Sequence, residues 1–158
     1  MKTAGIIGGL GPETTSQFYL EIIFSSFKEN TKARPPLLIW SIPIEYQIES
    51  DLITKAEGEE RYLPYLIDAA KRLENGGADF IVIPCNSVHI FIQEVRDSVG
   101  IPVLSIVEET VKYLKERNIE NIGLLATKST ITQGIYQRSL KENGIKITLP
   151  EQKEQDKI

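Results

Sequence analysis

The sequence predicts an α/β fold built on a mostly parallel sheet. Three observations predict it. Short apolar runs rich in β-branched residues alternate strictly with longer amphipathic segments. Glycine or proline punctuates most of the junctions between them. The composition, 41% hydrophobic and 25% charged over 158 residues, is that of a globular chain of about one to one and a half domains. Alternation of this kind means βαβ units joined by right-handed crossovers.

Residues 4–7 are short, apolar and closed by Gly8-Gly9, which makes them a buried first strand. Residues 13–27 set Phe18, Tyr19, Ile22, Ile23 and Phe27 at helical spacing. Pro35-Pro36 break the chain before a second buried strand at 37–40. Residues 41–58 are polar, carry Pro43 and read as a loop. A helix is expected at 59–74, stopped by Asn75-Gly76-Gly77. Pro64 belongs in its first turn or else kinks it. A third strand covers 80–83, and a helix at 88–98 stops at Gly100. A short fourth strand at 103–105 leads into a helix at 107–117. Residues 122–126 read as a fifth strand, 130–143 as a helix capped by Gly144, and 145–148 as the start of a sixth strand. Residues 151–157 hold no apolar side chain and are expected to fray.

The charge balance narrows the function. Lys+Arg is 18 and Asp+Glu is 22, a net charge of −4. A mildly acidic chain lacks the basic face that nucleic acid requires, so no nucleic-acid partner is expected. No run of about 18 apolar residues exists, so no membrane span is expected either. One cysteine and one histidine make neither an intramolecular disulfide nor a structural zinc cage, and no metal is expected. The N-terminus runs straight into the first strand, which predicts no signal peptide and a cytoplasmic location.

Ligands on parallel sheets bind at the carboxyl ends of the strands. Three turns sit there: Gly8 to Pro12, Pro84 to His89 and Thr127 to Thr130. Gly8-Gly9-Leu10-Gly11-Pro12 is neither GxGxxG nor a P-loop. It either cradles an anion such as a carboxylate or merely satisfies a tight turn, and both readings stand. Cys85 follows an apolar strand and precedes a helix, where a helix dipole lowers a thiol pKa. A buried structural cysteine is the alternative. The polar neighbours Asn86, Ser87 and His89 favour function. His89 reads as a capping or packing residue ahead of a nucleophile pair with Cys85. Thr127-Lys128-Ser129-Thr130 supplies hydroxyls and backbone N–H groups for a second carboxylate or an ammonium group, and Ser129 or Thr130 also reads as a plain N-cap; the two roles are compatible. Trp40, Tyr62 and Tyr65 read as packing.

These motifs resemble the cofactor-independent aspartate/glutamate racemase family. The resemblance rests on Ile6-Ile7-Gly8-Gly9-Leu10-Gly11-Pro12-Glu13-Thr14-Thr15, and on Gly77-Ala78-Asp79 leading into Ile83-Pro84-Cys85-Asn86-Ser87-Val88-His89. Gly123-Leu124-Leu125-Ala126-Thr127 with Thr130 and Tyr136 adds to it. It implies two similar α/β lobes facing across a cleft, each giving one cysteine, with no pyridoxal phosphate or metal. One thiolate takes the α-proton and the other thiol returns one on the opposite face. By this resemblance residues 1–104 form a first lobe with Cys85 as its acid/base. Residues 105–158 begin a second lobe that is incomplete. Asn86, Ser87 and Thr127 then bind the α-carboxylate and amine region, helped by the backbone at Leu10. A dicarboxylic amino acid is the implied substrate and a homodimer the implied assembly.

The sequence departs from that pattern twice. No second cysteine follows Cys85, and residues 42–54 lack the arginine that grips a side-chain carboxylate in some members. Inversion needs acid and base on opposite faces, so a chain of these residues alone is expected to racemise negligibly. Two alternatives remain open: a small-carboxylate-binding protein of the same fold without turnover, and a cysteine-dependent decarboxylase or hydrolase.

Overall fold

The computed structural model describes residues 1–29, 32–55 and 58–155, the side chains of 52–55 excepted. Strands β1 (Ala4–Gly8), β2 (Leu37–Ser41) and β3 (Phe80–Val82) form a parallel sheet in the order β2-β1-β3. Ile6 is in register with Ile39 on one side and with Val82 on the other. Every residue of β1 is buried, as befits a central strand covered on both faces. The expected fourth strand is reduced to one parallel bridge from Val103 to Ile81. Its backbone still joins the sheet, because Leu104 N–H donates to the Ile81 carbonyl at 2.9 Å.

Helix α1 (Pro12–Lys28) starts on a proline, whose fixed φ and missing N–H suit a first turn. Helix α3 (Leu63–Asn75) carries Pro64 in its first turn, so the kink does not arise. It packs Leu66, Ala69, Ala70 and Leu73 on the sheet. The approach is close at Gly5, where a Cβ would lie 3.0 Å from Ala78 Cβ and 3.2 Å from Leu73 Cβ. The chain steps one way from β1 to β2 and the other way from β2 to β3. With right-handed crossovers, that reversal puts α1 and α3 on opposite faces. It also makes the carboxyl ends of β1 and β3 a topological switch point, where a crevice opens.

Several boundaries differ from expectation. Residues 41–58 are not all loop: α2 (Tyr46–Lys55) lies there, anchored by buried Ile48. The expected helix at 59–74 opens as a 3₁₀ turn, Glu59–Tyr62, before α3. The expected helix at 88–98 divides into a 3₁₀ turn, Ser87–Phe91, and α4 (Ile92–Asp97). Helix α5 (Ile106–Glu116) follows, with Ser105 Oγ accepting from the Glu108 N–H at 3.4 Å.

A second parallel pair, β4 (Asn121–Gly123) and β5 (Lys146–Thr148), has its own core of Val107, Val111, Leu114, Tyr136, Leu140 and Ile145. The expected helix at 130–143 is broken at Gly134, whose φ of +64 separates α6 (Lys128–Thr132) from α7 (Ile135–Glu142). The tail does not fray throughout. Residues Gln152–Gln155 form a short helix, α8, and Gln155 Nε2 donates to the Ala126 carbonyl at 2.9 Å. Residues 156–158 lie outside the described residues. No helix among the described residues is long and apolar enough to cross a membrane.

Candidate active site

The switch point carries the first turn. Gly9 and Gly11 have φ of +82 and +89, which β-carbon-bearing residues rarely adopt. A Cβ on Gly9 would also lie 2.7 Å from Ser41 Oγ and 2.9 Å from Ile42 N. The tight-turn reading of these glycines is therefore required. The anion-cradle reading survives in part. Gly9 N–H is spent on Thr15 Oγ1 at 3.0 Å. The N–H groups of Leu10 and Gly11 donate to nothing among the described residues.

The second turn carries Cys85, directly after Ile83 and Pro84 at the end of β3. Its sulfur is oriented toward the backbone N–H groups of Val88 and Ser87, which pull the thiol pKa down. Burial pushes it up, and burial wins. The expected acidification is thus corrected in sign. The cause is local: the segment after Cys85 is a five-residue 3₁₀ turn, not an α-helix with a full dipole, and desolvation of a thiolate outweighs two N–H groups.

His89 is 4% exposed and has both ring nitrogens engaged. Nδ1 lies 2.6 Å from the Cys85 carbonyl, and Nε2 accepts from the Ile106 N–H at 3.1 Å. A carbonyl can only accept, so Nδ1 carries the proton and the ring is neutral. Burial holds its pKa below the usual imidazole range. His89 fastens the Cys85 backbone to the start of α5. Its ring is committed to these two partners and is unavailable to the thiol, which removes the geometric basis of a Cys85–His89 pair.

The third turn joins the second through hydroxyls. Ser87 Oγ lies 3.4 Å from Thr130 Oγ1, which lies 3.1 Å from Thr127 Oγ1. Thr127 also caps α6 by accepting from the Thr130 N–H at 3.4 Å. Ser129 Oγ donates to Glu59 Oε1 at 3.1 Å, tying α6 to the turn before α3.

One cavity of about 210 Å³ receives all three turns: Gly9, Leu10 and Gly11, then Cys85 and Ser87, then Thr127, Lys128 and Ser129. Asn86 is the exception among the predicted site residues. It does not line the cavity; its Oδ1 accepts from the Tyr136 hydroxyl at 2.6 Å. Ile44, Glu49 and Tyr62 also line the cavity and were not expected there. The one available signal was position, since residues after β2 also sit at a strand's carboxyl end. Tyr62, read as packing, is both buried and cavity-lining. Its phenol is pushed up to about 12, first by burial, then by the Glu49 carboxylate and Cys85.

Comparison with known proteins agrees with the fold. RacX of Bacillus subtilis, a broad specificity amino-acid racemase, is 35% identical over 148 residues, which are 89% of this chain and 61% of RacX. The chain therefore spans under two thirds of that relative. A crystal structure of an aspartate racemase homologue from Pyrococcus horikoshii superposes with a TM-score of 0.84 at 33% identity. It covers 99% of this chain and 68% of its own. The aspartate racemase of Picrophilus torridus gives 0.78 at 25% identity, covering 99% of this chain and 66% of its own. The family profile described as Asp/Glu/Hydantoin racemase matches residues 7–158, and the chain belongs to that family.

Proposed function

We propose that the chain carries one half of an amino-acid racemase site that moves the α-proton with a cysteine thiolate and uses no cofactor. The observation that carries this reading is the meeting of Cys85, Leu10, Ser87 and Thr127, from three separate βα turns, in one cavity. The α-carboxylate sits on the free N–H groups of Leu10 and Gly11 and on the hydroxyls of Ser87 and Thr127. Asn86 acts through Tyr136 to hold its turn in place. The Cys85 thiolate takes the α-proton and becomes the thiol, and the electron pair left on carbon delocalises into the carboxylate. The donors on that carboxylate stabilise the developing charge. A thiol pKa raised by burial makes fewer thiolates but a stronger base, which suits a weak carbon acid.

Return of a proton to the opposite face needs a second group. The resemblance supplies it as a second cysteine, which these 158 residues do not hold. The separate core under β4 and β5 supports a division near residue 104 into a first lobe and the beginning of a second. The exposed Leu20, Phe24 and Phe27 on α1 support a homodimer. A reaction that needs a free thiol suits a reducing compartment such as the cytoplasm.

Solvent deuterium exchange at Cα, read by proton NMR over a panel of L-amino acids, tests the reading. Exchange without inversion is expected from these residues alone, and Cys85→Ser abolishes it. Absence of exchange across the panel, or exchange that survives Cys85→Ser, overturns it.

A further inference from the structure

Two charges that have no partner among the described residues line the cavity. Glu49, half-buried on α2, makes neither an ion pair nor a side-chain hydrogen bond among the described residues. Lys128, at the start of α6, has no such partner either. They come from different elements, α2 and α6. Lys128 adjoins Thr127 and Ser129 at the start of α6, and Glu49 on α2 lines the same cavity as Ile44 and Tyr62. The nearness of Glu49 to the Tyr62 phenol is visible in the upward push that its charge gives that group. Residues 42–54 contain no Lys or Arg that could neutralise Glu49. Arg61, the cation nearest in sequence to Tyr62, is taken by Asp51 at 2.8 Å.

We propose that Glu49 selects amino acids with a cationic side chain, of the lysine or ornithine class, and rejects dicarboxylic ones. The inference rests on the reading of the cavity as an amino-acid site, with the α-carboxylate on the Leu10, Ser87 and Thr127 side. The substrate's side chain then faces Ile44, Glu49 and Tyr62. Its methylenes lie on Ile44 and the Tyr62 ring, and its terminal ammonium meets the Glu49 carboxylate. A second carboxylate placed there meets a like charge, and among the described side chains no cation pairs with Glu49 to offset it.

The test uses the whole 158-residue chain and reads binding without turnover. Cys85 is alkylated with iodoacetamide while L-lysine, L-ornithine, L-leucine or L-aspartate is titrated in. L-lysine and L-ornithine are expected to protect at concentrations about tenfold or more below L-aspartate, the size of one charge-assisted hydrogen bond. Glu49→Gln raises the lysine concentration needed by about tenfold and leaves leucine unchanged. Glu49→Arg turns the preference toward aspartate. Equal or better protection by aspartate, or no protection by any of the four, overturns the proposal. So does a Glu49→Gln loss shared equally by leucine, which would place Glu49 on the α-ammonium. If protection follows the expected order but no Cα exchange occurs, the selectivity stands and the racemase reading falls.

Discussion

Replacing His89 separates a structural imidazole from a catalytic one. The ring is the only imidazole in the chain, and it satisfies one buried acceptor and one buried donor. His89→Ala leaves the Cys85 carbonyl and the Ile106 N–H without partners. Two orphaned groups cost about 2–6 kcal/mol together, a large share of a typical stability of about 5–15 kcal/mol. His89→Gln offers one donor and one acceptor and should cost less. The pH dependence gives a second reading. Burial depresses the folded pKa below the ordinary imidazole value of about 6.5, so between those two values the unfolded chain binds more protons than the folded one. Stability from this group is therefore complete above about 6.5 and falls as pH drops below it. The slope reaches at most about 1.4 kcal/mol per pH unit. Urea unfolding followed by circular dichroism at several values between about pH 7.5 and about pH 5.5 measures it. The slope should be present in the wild type and absent in His89→Gln. A flat wild-type profile, or a slope unchanged in the variant, refutes the neutral, doubly bonded imidazole.

Three further outcomes follow from the same geometry. Iodoacetamide alkylation of Cys85 should show a pH midpoint above that of an ordinary thiol, about 8.5, because burial raises the folded pKa; a midpoint below it contradicts that direction. Gly9→Ala should cost about 1–3 kcal/mol by urea unfolding, since it combines a positive φ with a Cβ 2.9 Å from a backbone nitrogen; a neutral result would mean that the turn relaxes freely. Leu140→Ala, at a fully buried position in the core under β4 and β5, should cost about 2–5 kcal/mol and lower Tm; no change would show that this second core contributes nothing to stability.

What could be read in advance followed the periodicity of the chain. The runs at Ile6-Ile7, Leu37-Leu38-Ile39 and Phe80-Ile81-Val82 are short, apolar and bounded by breakers, and all three became strands of one sheet. Their alternation with helices identified the carboxyl ends as the place to look, and Leu10, Cys85, Ser87 and Thr127 met there. Three features were hidden for physical reasons. Helix α2 interleaves polar residues with its apolar ones and follows Pro43, which hid the anchor Ile48. Gly134 breaks a helix that the apolar spacing on either side suggests is continuous. The balance at Cys85 between a short 3₁₀ turn and desolvation depends on what covers the thiol, which is a tertiary quantity.

The site makes sense as a division of labour between hydrogen bonds that are used and those that are left open. Gly9 N–H is locked to Thr15, His89 is locked to Cys85 and Ile106, and Asn86 is locked to Tyr136. Each of these bonds fixes the position of a turn. Leu10 N–H, Gly11 N–H and the charges of Glu49 and Lys128 have no partners among the described residues around the same cavity. Leu10, Gly11 and Glu49 are partly buried, so a ligand that fills the cavity displaces their water and must offer them partners in exchange. Groups held open on a rigid frame are preorganised for a ligand that carries the complementary charges. On the proposed reading, a zwitterion with a basic side chain offers a carboxylate to Leu10 and Thr127 and an ammonium to Glu49, in the cavity that Cys85 also lines.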